Sequence, residues 1–177
     1  MLFSDRSLWT MVHGVGLGGA VLMGLAAALF AMGTLRAADG PDAGADQASR
    51  ALAWLTVFIA VMLWLTVFAG TYVVFPPYRA APPEGVADLA RYPRSLLLGS
   101  PDTAWLHAFA MESKEHMPWI ASMLATAVAF VTVRDRPRLS RDRSLRSMAL
   151  ALLATAFALA SFVGLLGIFV NKVAPLE

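Results

Sequence analysis

The chain contains no cysteine. That excludes disulfides, thiolate metal sites, iron–sulfur clusters and thioether-linked haem, so any redox centre would have to rest on histidine, methionine or carboxylate. Histidine is scarce too, with only three in 177 residues. A broad basic face is also missing: the net charge of +2 comes from separate clusters, and nothing in them suits nucleic acid. Charge is absent from long stretches of the chain, and no ionisable residue falls at the centre of an apolar run, which argues against a transporter or channel. No Ser/His/Asp set falls at one depth, so membrane-embedded hydrolysis has no support.

What is present is apolar. With 58% hydrophobic residues and a mean hydropathy of +0.64, the chain belongs to the membrane class and is best read as one bundle. Leu8 to Leu35 carries no formal charge and, at about 1.5 Å per residue, exceeds a roughly 30 Å hydrocarbon slab. Three further spans follow at about 51–75, 117–133 and 148–170. The Arg36 to Asp39 stretch loosely resembles a cleavage site, but the apolar run before it is too long for a signal segment. Residues 36 to 50 read as a polar loop, and Pro76-Pro77 as the end of the second helix. Ser100-Pro101-Asp102 reads as a helix N-cap with proline at the first helical position. Pro118 should kink the helix that follows, and Asn171-Lys172 with Pro175 should end the last one.

The loop from 134 to 147 holds six arginines, and a connection this short and basic is expected to stay cytoplasmic. The expected fold is therefore an all-α, four-helix transmembrane bundle, a single membrane domain over 1–177. Both termini would face the outer side, and a loop-plus-helix cap over 76–116 would close the outer end. The setting would be a bacterial inner (plasma) membrane.

Functional signals concentrate between Trp105 and Trp119, where His107, Glu112, Lys114, Glu115 and His116 gather. His107 and His116 are nine residues apart and on one continuous helix point to opposite sides, so each needs a partner from elsewhere. Measured from the cytoplasmic ends, His116 and His13 stand roughly 26 and 33 Å up their helices. Gly16, Gly70 and Gly164 fall near that level. On a regular helix Gly16, Ala20 and Gly24 would form a small-residue stripe below His13. Glycine there serves either close helix packing or the approach of a flat ligand.

Three readings follow. In the first, His13 and His116 are axial ligands of a b-type haem in an electron-transfer subunit, with Glu112 orienting His116 and Arg79 among the propionate contacts. That subunit would link an outward-facing redox partner with the quinone pool or another membrane subunit of a larger complex docked on the outer cap. In the second, Glu112, Glu115 and His116, with His107 or His13, hold a non-haem metal or handle protons at a quinone pocket. In the third, the charged stretch is an interfacial helix end with a snorkelling Lys114 and tryptophan anchors in membrane lipid. The protein is then a non-catalytic anchor or assembly subunit.

Overall fold

The computed structural model describes residues 4–35 and 43–175. The Arg36 to Asp39 stretch and the rest of the expected polar loop up to residue 42 lie outside the described residues; from Ala43 to Arg50 the expected loop is helix instead, the start of the second span. In chain order the helices are α1 (Asp5–Thr34), α2 (Asp46–Arg79), the short α3 (Pro93–Leu98), α4 (Pro101–Arg134) and α5 (Arg143–Val173). A single helical turn, Arg136–Leu139, separates the last two. The described residues contain no strand, and α1, α2, α4 and α5 are each long and apolar enough to cross a membrane. This is a multi-pass membrane protein.

Each long helix extends past its charge-free run, and the starts of α1, α4 and α5 are set by capping groups and not by the apolar boundary. Ser4 accepts the Ser7 N–H at 3.1 Å to open α1, and Asp142 accepts the Leu145 N–H at 3.0 Å to open α5. The Ser100 hydroxyl accepts the Asp102 N–H with Pro101 at the first helical position, as the sequence predicts for α4. One stop signal does not stop. Pro76 and Pro77 lie inside α2, which continues to Arg79. The turn just before them, Gly70–Val74, is widened to an i→i+5 pattern, so the prolines fall at the start of a fresh helical segment, where proline is tolerated. The last helix ends where Asn171-Lys172 and Pro175 predict: α5 stops at Val173, with the Ala174 N–H bonding the Val170 carbonyl. Pro118 sits inside a continuous helical stretch, Glu112–Arg134, and the irregular turn of α4 lies earlier, at Leu106–Met111.

The four spans form a square. α1 and α4 each pack against both α2 and α5, and they stand across one diagonal while α2 and α5 stand across the other. Lipid tails give helices no hydrophobic reason to associate, so close contact rests on small residues. Ala28, Ala121, Ala125, Ala129, Ala149 and Ala156 accordingly fill the shared interior beside Leu25, Ile59 and Leu153. Deep inside, Thr56 on α2 meets Thr132 on α4 at 2.6 Å, and each hydroxyl also lies at 2.9 Å from a carbonyl of its own helix.

The two ends of the bundle differ. At one end lies the arginine-rich connection, where Asp46 pairs with Arg50 and Arg136, and Arg146 donates to the carbonyls of Leu139 and Ser140. At the other end a second apolar cluster forms from Tyr78, Leu97, Leu106, Ala110, Met111, Leu166 and Val170. It draws the 80–100 connection and α3 onto the helix ends. That same end contains all three widened turns among the described residues: Val12–Leu17 in α1, Gly70–Val74 in α2 and Leu106–Met111 in α4.

Candidate functional site: a polar layer near one end of the bundle

A widened turn inserts one residue, which rotates everything before it by about 100° relative to a regular helix. In α1 that rotation decides where His13 points. Without it the ring would stand above Gly16, Ala20 and Gly24. With it His13 joins the face of Val21, Leu25, Ala28 and Met32, all buried, while Gly16 is turned outward and exposed. The small-residue stripe expected below the imidazole is therefore not formed.

His13 lies instead against α2. A methyl group at position 70 would stand 2.8 Å from His13 Cε1 and 3.4 Å from Nε2, so Gly70 is the space the ring occupies. The His13 Nδ1 atom is buried and has no hydrogen-bond partner among the described residues; the Thr66 carbonyl faces the ring, but no bond to Nδ1 forms.

Across the diagonal, Lys114 reaches in from α4. It is in phase with the buried Ala121, Ala125, Val128 and Thr132, so its stem leaves the helix on the interior face. A methyl group at position 167 would stand 2.6 Å from Lys114 Nζ. Although the residue keeps partial exposure by surface area, its amine is enclosed against α5 at Gly167. Among the described residues no carboxylate stands within ion-pairing distance of the amine. The layer thus takes one residue from every span. Two nitrogen-bearing side chains enter from one diagonal pair of helices, and two glycines on the other pair make room for them.

The remaining expected residues are distributed around this layer. His116 is exposed, two positions and so about 200° round α4 from Lys114. Its Nδ1 lies 2.7 Å from the Glu112 carbonyl, which leaves Nε2 directed outward. His13 and His116 are therefore not brought together. Glu112 is exposed and meets His116 through its backbone, not its carboxylate. Gly164 is exposed with open space around it, and Arg79 is exposed with its guanidinium 5.4 Å above the Phe75 ring. Among the described residues no group of three or more histidine and carboxylate side chains stands together as a metal site.

His107 has a different role. Its Nδ1 lies 2.8 Å from the Tyr78 hydroxyl, and Arg94 Nε donates to its Nε2 at 3.4 Å. Arginine can only donate, so Nε2 carries the lone pair and Nδ1–H donates to the phenol. The contact ties α2, α4 and the end of the 80–100 connection together, and it leaves neither ring nitrogen of His107 free.

The inward lysine was detectable in principle, since positions 114, 121, 125, 128 and 132 follow one helical face. The diagonal pairing with His13 was not, because a single chain does not state which helices are neighbours. In comparisons with protein families, curated proteins and solved structures, nothing matches the chain.

Proposed function

We propose that the protein is a membrane-embedded electron-transfer subunit that exchanges with the quinone pool, and that the His13–Lys114 layer receives the quinone head. The observation that carries this reading is a buried imidazole nitrogen without a partner and an enclosed amine, neither of them paired with a carboxylate among the described residues. Buried polar groups left without partners are costly, and such exceptions concentrate at sites that take a ligand. A quinone ring is flat and presents carbonyl oxygens, which accept from both an imidazole N–H and an ammonium. A reduced, partly anionic quinone gains further from the cationic Lys114. The exposed Gly14 and Gly16 leave α1 bare beside the layer, which suits the passage of an isoprenoid tail to lipid.

On this reading the arginine-rich connection is cytoplasmic by the positive-inside rule, the layer lies in the outer leaflet of a bacterial plasma membrane, and α3 with the 80–100 connection forms an outer cap where a redox partner docks.

The test is a titration of the purified protein in detergent with a short-chain ubiquinone or menaquinone analogue, followed by tryptophan fluorescence. Saturable binding, weakened at least tenfold in both His13→Ala and Lys114→Met, is the expected result. Linear partitioning without saturation, or equal affinity in parent and variants, defeats the proposal.

A second reading, a b-type haem, draws on one observation: the His116 tautomer is fixed by the Glu112 carbonyl so that Nε2 presents a lone pair outward. That suits axial ligation of a haem shared with a neighbouring subunit. A Soret band in the purified complex that vanishes in His116→Ala would support this reading, and its retention would remove it.

A further inference from the structure

We infer that His107 and Arg94 form an acid-released latch, which holds α3 and the 80–100 connection against the ends of the spans. The latch is independent of the quinone reading.

Three side chains from three segments build it. His107 on α4 has its Nδ1 2.8 Å from the Tyr78 hydroxyl at the end of α2, and Arg94 in the first turn of α3 reaches its Nε2 at 3.4 Å. Tyr78 is buried, and its ring packs against those of Phe75 and His107 at centroid distances of 6.0 Å, so the imidazole has a fixed seat. Arg94 is the movable partner. Beside it, Leu97 of α3 enters the apolar cluster with Leu106 and Val170, and its carbonyl accepts from Thr103 Oγ1 at 2.8 Å. Releasing Arg94 leaves α3 with those contacts alone.

The polarity of the Arg94 contact makes it a switch. A guanidinium only donates, so His107 Nε2 must offer a lone pair. When Nε2 takes a proton from water, the lone pair becomes an N–H and the ring a cation. Two donors and two positive charges then face each other across 3.4 Å. Nδ1–H keeps the phenol oxygen as its acceptor, so the imidazole stays and Arg94 is the group that leaves. No anion neutralises the pair: among the described residues no carboxylate lies within ion-pairing distance of His107 or Arg94. The adjoining positions on the same face of α4, Thr103, Ala104, Ala110 and Met111, carry no titratable group. The next charges along α4 are Asp102 and Glu112, both exposed, with Glu115 beyond them. On α2 the charge beside Tyr78 is Arg79, whose guanidinium lies 5.4 Å over the Phe75 ring, and α5 adds the exposed Lys172. Histidine takes up its proton in mildly acidic water. Acid on the side of the cap therefore frees α3 and uncovers the apolar cluster beneath it.

The chain has no cysteine, so a single introduced thiol reports on the cap without background. Leu97→Cys probes the cluster from α3, where Leu97 is 0% exposed, and Leu98→Cys, at a residue 48% exposed, is the open reference on the same helix. Labelling by a maleimide in detergent is timed at about pH 5.5 and about pH 8, and the ratio of the two rates cancels the thiol's own response to pH. At the higher pH Leu97→Cys should react about tenfold more slowly than Leu98→Cys, and at the lower pH that gap should narrow by about threefold or more. With His107→Gln or Arg94→Gln added, the gap should differ by less than about twofold between the two pH values. Arg94→Lys keeps both donor and charge and should narrow as the parent does, which a merely structural role for Arg94 would not require. An unchanged gap in the parent, an acid response that persists in His107→Gln or Arg94→Gln, or its loss in Arg94→Lys overturns the latch. Leu106→Cys, at a residue 3% exposed, reads the same cluster from α4 and decides the question where Leu97→Cys loosens α3 by itself.

Discussion

Gly70→Ala tests the layer most directly, because its effect follows from one distance. The new methyl would stand 2.8 Å from His13 Cε1, and the ring must retreat by about half an ångström to regain ordinary contact. Imidazole is rigid and His13 is held on the interior face of α1, so the strain cannot be relieved by a flexible chain end. Overpacking of this kind costs about 1–3 kcal/mol, partly offset by about 1 kcal/mol of helix propensity gained on replacing glycine. A net loss of about 1 kcal/mol corresponds to a fall of about 2–4 °C in melting temperature for a chain of this size. Gly164→Ala is the control, since nothing lies within 4 Å of its new methyl. It keeps the propensity gain and should melt higher than the parent by about 2–4 °C. Differential scanning fluorimetry in one detergent, with parent and both variants side by side, reads the contrast. Equal melting temperatures for Gly70→Ala and Gly164→Ala would falsify the placement of His13 against α2.

Other expectations follow from the same geometry. Gly167→Ala puts a methyl 2.6 Å from Lys114 Nζ, but a lysine chain end swings aside cheaply, so stability should stay within about 0.5 kcal/mol while quinone-analogue affinity falls. Lys114→Met removes an amine that has no carboxylate partner among the described residues, so the ligand-free protein should melt at or above the parent temperature; a clear fall would show that Lys114 is a structural anchor. A double-mutant cycle of Thr56→Val and Thr132→Val should return a coupling of about 0.6 kcal/mol, the usual size for one interhelical hydrogen bond in a membrane bundle. Tyr78→Phe leaves the His107 Nδ1–H without its acceptor and should cost about 1–2 kcal/mol, read as earlier thermal release of the 80–100 connection to limited proteolysis.

The spans were legible because 18 or more uncharged apolar residues have no other use in a chain of this size. The start of α4 was legible because Ser-Pro-Asp satisfies the first orphan N–H groups locally. Helix ends were less so. Pro76-Pro77 reads as a stop only if the preceding turn is regular, and the widened Gly70–Val74 turn removes the clash that would have ended α2. The same kind of irregularity broke the phase argument at His13, since counting 100° per residue fails across Val12–Leu17. Depth survived that failure: axial rise is nearly insensitive to one added residue, and Gly70 does lie at the level of His13. The partner of that level was misjudged, because a lysine near an interface is usually a snorkelling one, and only its register with Ala121, Ala125 and Val128 says otherwise.

The three widened turns also separate two demands on one helix. Below them the spans must keep a fixed phase to fit alanine against alanine; above them the same backbone must aim functional groups at chosen partners. One surplus residue per helix acts as a coupling that lets the upper segment be dialled independently of the lower. Removing a single residue from Val12–Leu17 would thus leave the alanine-lined interior intact while turning the imidazole by about 100°, off the line of Val21, Leu25, Ala28 and Met32 and onto that of Ala20 and Gly24.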